Sequence, residues 1–107
     1  LESFISRITF DELKQKYARG EIVLVDARWA ADYAVGHIDG ALNIEPNAGV
    51  DVYEALRDGL ARDKEIVVYC QSAGCPYASV AVQKFQSVGH EKVRYFKGGW
   101  NEWRHAK

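Results

Sequence analysis

Two apolar runs rich in β-branched residues, Ile22-Val23-Leu24-Val25 and Ile66-Val67-Val68-Tyr69, show no polar alternation and end at Asp26 and Cys70. Unbroken runs of this kind suit strands covered on both faces, as in a parallel sheet. Helical spacing fills the intervals between them. Thr9 followed by Glu12 has the form of a capping box, and Phe10, Leu13 and Tyr17 then share one face as far as Gly20. Val52, Ala55, Leu56 and Leu60 predict a second helix. After Pro76, which suits a first helical turn, Ala78, Ala81, Val82, Phe85 and Val88 predict a third, stopped by Gly89. A short strand is predicted at Val93 to Phe96 and a fainter one at Ala41 to Ile44, with a final turn or helix carrying Trp100 and Trp103 after Gly98-Gly99.

Strands alternating with helices define an α/β domain built on a mainly parallel sheet. The 107 residues suffice for one core and not for two, and no repeat or linker divides them, so residues 1–107 are expected to form a single unit. Fourteen Lys and Arg against fifteen Asp and Glu leave a net charge of −1, which gives no basic field to attract nucleic acid or anionic lipid. The longest uncharged stretch, Ile66 to Gln83, is broken by Gln71, Ser72, Gly74 and Pro76, so neither a membrane span nor a signal peptide is expected.

Candidate chemistry gathers at Cys70. In open α/β sheets, sites form beyond the carboxyl ends of the strands. Cys70 stands there, at the head of the turn Cys70-Gln71-Ser72-Ala73-Gly74-Cys75, which holds no charged side chain and leads through Pro76 into the third helix. A strand, a small turn and a helix N-terminus can aim several amides and the positive helix pole at one point. A thiolate at that point has a depressed pKa and is a nucleophile near neutral pH, and the same amides can hold a persulfide. A plainer reading also stands, in which Cys70 is a small buried apolar residue closing a strand. Cys75 divides the same way, between a helix-facing filler and a redox partner. Two cysteines and the scattered His37, His90 and His105 lack the spacing of a zinc site. A structural disulfide is not expected, because it would close only a small loop.

Three segments resemble the signatures of the rhodanese-like domain family. They are Val23-Leu24-Val25-Asp26-Ala27-Arg28 with Asp32-Tyr33 and Gly36-His37-Ile38-Asp39-Gly40-Ala41-Leu42-Asn43-Ile44, then Val67-Val68-Tyr69-Cys70, then Phe96-Lys97-Gly98-Gly99-Trp100-Asn101-Glu102-Trp103. The resemblance implies a three-layer α/β fold with a central, mainly parallel five-stranded sheet flanked by helices. It also implies a cofactor-free, metal-free sulfurtransferase. Cys70 would be the catalytic nucleophile, taking a sulfane sulfur from thiosulfate or a persulfide and passing it to cyanide or a thiol. The amides of Gln71, Ser72, Ala73, Gly74 and Cys75 would bind the substrate, with the Ser72 hydroxyl as a further donor. By the same carry-over Asp26 and Arg28 anchor loops, with Asp32 as a partner for Arg28. His37 reads as a structural histidine, Trp100 and Trp103 as packing residues, and Lys97 as a solvated lysine.

The chain departs from the family pattern at Cys75, where many members with thiosulfate activity carry arginine or lysine. Losing that clamp weakens a dianionic donor more than a persulfide, and it counts against a phosphatase or arsenate reductase. Cys75 also opens a thiol redox reading, in which it displaces sulfide from a Cys70 persulfide and leaves a Cys70–Cys75 disulfide, provided the Cα atoms lie within about 7 Å. A catalytically silent binding or regulatory module is the remaining alternative. Expected partners are small sulfur compounds and a thiol acceptor or reductant protein. Two cysteines fit a reducing, cytoplasmic setting, although a periplasmic sulfurtransferase or a piece of a longer chain would read the same.

Overall fold

A computed structural model describes residues 5–61 and 63–106. In chain order the elements are α1 (Phe10–Ala18), β1 (Ile22–Asp26), α2 (Ala30–Val35), β2 (Leu42–Asn43), α3 (Val50–Asp58), β3 (Glu65–Tyr69), α4 (Tyr77–Ser87), β4 (Val93–Phe96) and α5 (Gly99–His105). The strands pair in parallel in the order β2-β1-β3-β4. Both runs singled out by their lack of alternation become the two central strands, and β3 is buried along its whole length.

The sheet has four strands among the described residues, where five are expected. Among the described residues, the edge beside β4 carries only an isolated parallel bridge, Arg7 to Tyr95, with Tyr95 N–H donating to the Ser6 carbonyl at 2.8 Å and Ile8 N–H to the Tyr95 carbonyl at 3.1 Å. Pairing stops there because Thr9 already serves as the N-cap of α1, its Oγ1 accepting from Glu12 N–H at 3.2 Å. The other half of the expected capping box is absent, since the Glu12 carboxylate pairs with Arg94 at 2.7 Å. That guanidinium holds the Glu12 carboxyl below its ordinary value. Arg94 and Lys16 also flank buried Glu65, so a charge cluster fastens α1 to the amino end of the sheet, away from the Cys70 end.

Side chains alternate across β1 and β3 and divide the core. Val25, Ile66, Val68 and Cys70 face α3 and α4, whereas Leu24, Val67 and Tyr69 face Leu13 of α1, with Trp100 and Trp103 of α5 packed beside them. Helix α4 buries Ala78, Ala81, Val82 and Phe85, the expected face, and Gly89 turns the chain at φ +90°. Helix α3 is rotated from expectation. It buries Tyr53 and half-buries Leu56, while Val52 and Ala55 face outward. The aromatic ring takes the core position because it meets Phe85 edge to face, with centroids 4.8 Å apart.

Phe85 thus joins α4, α3 and the sheet. Phe85→Ala is expected to remove about 3–5 kcal/mol of stability, checked by the shift of the urea unfolding midpoint.

Candidate active site

The carboxyl ends of β1 and β3 lie side by side, with Asp26 in register with Tyr69. Each strand then releases its chain into one wall of the site. After β1, Arg28 folds back on Asp26, its Nε bonding Oδ1 at 3.0 Å and its Nη2 bonding Oδ2 at 2.8 Å. Both residues are buried, the carboxylate completely. Burial pulls the Arg28 pKa down, but the Asp26 hydrogen bond and charge outweigh it and leave the value raised. The remaining reach of the guanidinium goes to two loops. Nη2 donates to the Gly36 carbonyl at 2.6 Å, and Nη1 to Gln71 Oε1 at 2.9 Å. Asp26 and Arg28 therefore anchor loops as expected. Asp32 is not the partner of Arg28; Asp26, Gln71 and Gly36 take that place because the side chain turns inward rather than along α2.

After β3, Cys70 is buried and heads the turn that leads into α4. Helix α5 fixes the start of this turn through its first amides, with Trp100 N–H donating to the Cys70 carbonyl at 2.9 Å and Asn101 N–H to the Gln71 carbonyl at 3.0 Å. Gln71 Nε2 also donates to Asn101 Oδ1 at 2.8 Å. This close approach explains the second glycine of the pair, Gly99. Gly99 has φ +64°, and a Cβ there would run into the Cys70 carbonyl. The carbonyls of Cys70 and Gln71 are thereby occupied. Among the described residues, the amides of Gln71, Ser72, Ala73 and Gly74 donate to no protein acceptor. The Cys75 amide, expected to join them, is instead taken by the Ser72 carbonyl at 3.1 Å, which closes a tight turn. Pro76 is the N-cap of α4, one residue earlier than its expected place, and the 11-residue helix directs its N-terminal pole toward the turn.

Cys70 and Cys75 are joined by a disulfide, with Cα atoms 6.2 Å apart. The expectation against a disulfide rested on the small entropy gain of a short loop. It fails because the Ser72–Cys75 turn brings the second cysteine back over the first. The Cα separation required by the thiol redox reading is met.

The remaining candidates fall into supporting places. His37 stacks on Tyr33 with centroids 3.7 Å apart, and its Nδ1 lies 2.7 Å from the Tyr33 carbonyl. Tyr69 accepts from Ile38 N–H at 3.0 Å, and burial drives its phenol pKa up, which keeps it neutral. Trp103 packs on Phe10 and Tyr17, Trp100 lies under Arg28, and Lys97 is exposed. Gln71 as a side-chain clamp, Asn101 and the Gly36 carbonyl were not singled out from the sequence. The signal for them was the polar Asn101 directly after Gly98-Gly99-Trp100, since a glycine pair marks backbone contact and the next polar residue falls on it. No helix among the described residues is long and apolar enough to cross a membrane.

A parallel sheet whose central strand leads into a cysteine, then a turn of amides without protein acceptors and a helix N-terminus, defines a class of α/β domain with a cysteine-headed loop at the carboxyl end of its sheet. Within it, the chain belongs to the rhodanese-like domain family, whose model matches residues 9–106. An HTH-type transcriptional regulator of Mycobacterium tuberculosis is 40% identical over 92% of this chain and 42% of its own length. The thiosulfate:glutathione sulfurtransferase of Homo sapiens is 31% identical, with 90% of each chain covered. The solved structure of a human single-domain sulfurtransferase superposes with a TM-score of 0.77 at 25% identity, covering 97% of this chain and 99% of that one. The chain spans about two fifths of the length of the regulator, and 41% of the thiosulfate sulfurtransferases of Pseudomonas aeruginosa and Azotobacter vinelandii that it matches.

Gly99→Ala is expected to cost at least about 1–2 kcal/mol from the left-handed backbone alone. Because the added Cβ meets the Cys70 carbonyl, the reduced variant should also alkylate more slowly at Cys70 with iodoacetamide near pH 6. Urea unfolding and peptide mapping of the alkylated chain read the two effects.

Proposed function

We propose that this domain is a sulfurtransferase in which Cys70, once reduced, carries the transferred sulfur as a persulfide. The observation that carries the reading is the position of Cys70 at the end of central β3, followed by four amides without a protein acceptor at the N-terminus of α4. Those amides and the helix pole favour negative charge on sulfur, first as thiolate and then as persulfide. Relatives named as sulfurtransferases support the same reading.

In the forward step the Cys70 thiolate attacks the sulfane sulfur of the donor, and the donor leaves as sulfite or as a thiolate. A thiophilic acceptor, cyanide or a thiol, then removes the outer sulfur and restores the thiolate. Gln71, Ser72, Ala73 and Gly74 hold the anion through their amides, and the turn needs no metal or organic group for either step. Charge on the donor sets its rank. Asp26, Gly36 and Gln71 occupy the Arg28 guanidinium, and Cys75 stands where the family resemblance expects a basic clamp, so within the turn a dianion meets backbone dipoles. A persulfide such as glutathione persulfide, which brings at most one charge at its sulfur end, is therefore the favoured donor over the compact dianion thiosulfate.

A second reading is supported by the 40% identity to a transcriptional regulator: a sensing module of a longer protein, in which the state of Cys70 is the signal rather than a catalytic intermediate. Both readings use the same thiol, and turnover separates them.

Intact mass spectrometry of the Cys75→Ser chain, reduced, desalted and exposed to donor, tests the carrier. A gain of about 32 Da is expected, lost with cyanide and absent when Cys70→Ser is added. Loading from glutathione persulfide should exceed loading from thiosulfate by about tenfold or more at equal concentration. No gain with either donor would remove the sulfurtransferase reading and leave the sensing module.

A further inference from the structure

The disulfide sits in a loop whose two halves are held very differently. Its first half is fixed, with the Cys70 and Gln71 carbonyls bonded by α5 and the Gln71 side chain gripped by Arg28 and Asn101. Its second half carries only the Cys75 N–H to Ser72 bond, and Ala73 and Gly74 are exposed. A change of partner at sulfur is therefore absorbed between Ser72 and Cys75 while Cys70 stays in place. The cysteines are also unequal in access: Cys70 is fully buried, and Cys75, just before the N-cap of α4, is only partly buried.

From this geometry we infer that Cys75 is the resolving thiol of the Cys70 persulfide, so that the domain releases the transferred sulfur as sulfide. The inference rests on the carrier reading above and adds the fate of the sulfur. The Cys75 thiolate attacks the inner sulfur, Cys70 Sγ. The Cys70–Cys75 bond forms, the bond to the outer sulfur breaks, and that sulfur leaves with the electron pair as hydrosulfide. The outer sulfur is reduced by two electrons and the two cysteines are oxidised by two, which gives the disulfide seen here. A dithiol reductant completes the cycle. It reaches the less buried cysteine, Cys75, first, expels Cys70 as a thiolate beside the free amides, and resolves its own mixed disulfide. Expelling the better-stabilised thiolate makes this direction the faster one. Intramolecular attack by a thiol held across the same turn outruns an external thiol at ordinary concentration.

The deciding experiment is a single turnover on the full chain. Native and Cys75→Ser proteins are reduced, desalted, mixed with one equivalent of glutathione persulfide and followed for sulfide by bimane trapping and for protein mass. The native chain should release about one sulfide per chain and end about 2 Da lighter than its reduced form, with no retained sulfur. Cys75→Ser, and Cys75→Ala alongside it, should keep about 32 Da and release sulfide at least about tenfold more slowly. A native chain that retains the added sulfur, or a Cys75→Ser chain that releases sulfide equally fast, overturns the resolving role and leaves the carrier intact. If neither Cys75 variant takes up sulfur, the carrier reading fails and this inference falls with it.

Discussion

The buried pair of Arg28 and Asp26 is the constraint on which the rest of the site depends. A guanidinium and a carboxylate this deep are tolerated only because nearly every donor and acceptor is used. Here the uses are spread over separate parts of the chain: Asp26 itself, the Gly36 carbonyl at the end of α2, and Gln71 in the turn after β3. Asn43 adds to the same knot by donating to the Asp26 and Arg28 carbonyls at 3.0 and 2.9 Å. Breaking the pair by removing one partner leaves an uncompensated buried charge, a cost of about 3–5 kcal/mol in comparable cases. The candidate site is thus built on a charge whose hydrogen bonds are spent within the protein.

That choice decides how the turn can work. Because α5 takes up the carbonyls of Cys70 and Gln71, the dipoles that would repel an anion are occupied, and the amides that attract one are left without partners. Gly99 makes this possible by letting the α5 backbone reach the Cys70 carbonyl. Helix α5 is short, and Trp103 wedged between Phe10 and Tyr17 of α1 fixes its angle. The position of the cysteine turn is therefore set partly by packing on the opposite face of the sheet.

Much of this was legible along the chain. The two non-alternating apolar runs identified the central strands, because burial on both faces leaves no polar position to interrupt them. The face of α4 followed from helical spacing alone. What escaped was decided by competition between partners far apart in sequence. Tyr53 displaced Val52 and Ala55 from the core because Phe85 offered an edge-to-face contact that no local pattern records. Glu12 left its capping role for Arg94, 82 residues away. Among the described residues the expected fifth strand is reduced to one bridge, as Thr9 caps α1 just beyond Arg7. At the site, the Cys70 turn and the Asp26–Arg28 pair were readable as motifs, but Asn101 and the Gln71 side chain gained their places only when α5 docked on the turn.

Cys75, where the family resemblance leads one to expect a basic residue, bears on what the loop could distinguish. An arginine at the mouth binds anions in proportion to their charge and holds a dianion best. Dipoles alone discriminate less by charge and more by fit, since each amide serves one lone pair. Arg28 is consumed internally and so does not substitute for a clamp at the turn. A small monoanion on sulfur is the species such a turn stabilises well, and thiolate and persulfide are both of that kind. The residue that removes the clamp also supplies a second sulfur within bonding reach of the first. On the proposed reading, weaker binding of highly charged donors and an internal thiol would both follow from this one position.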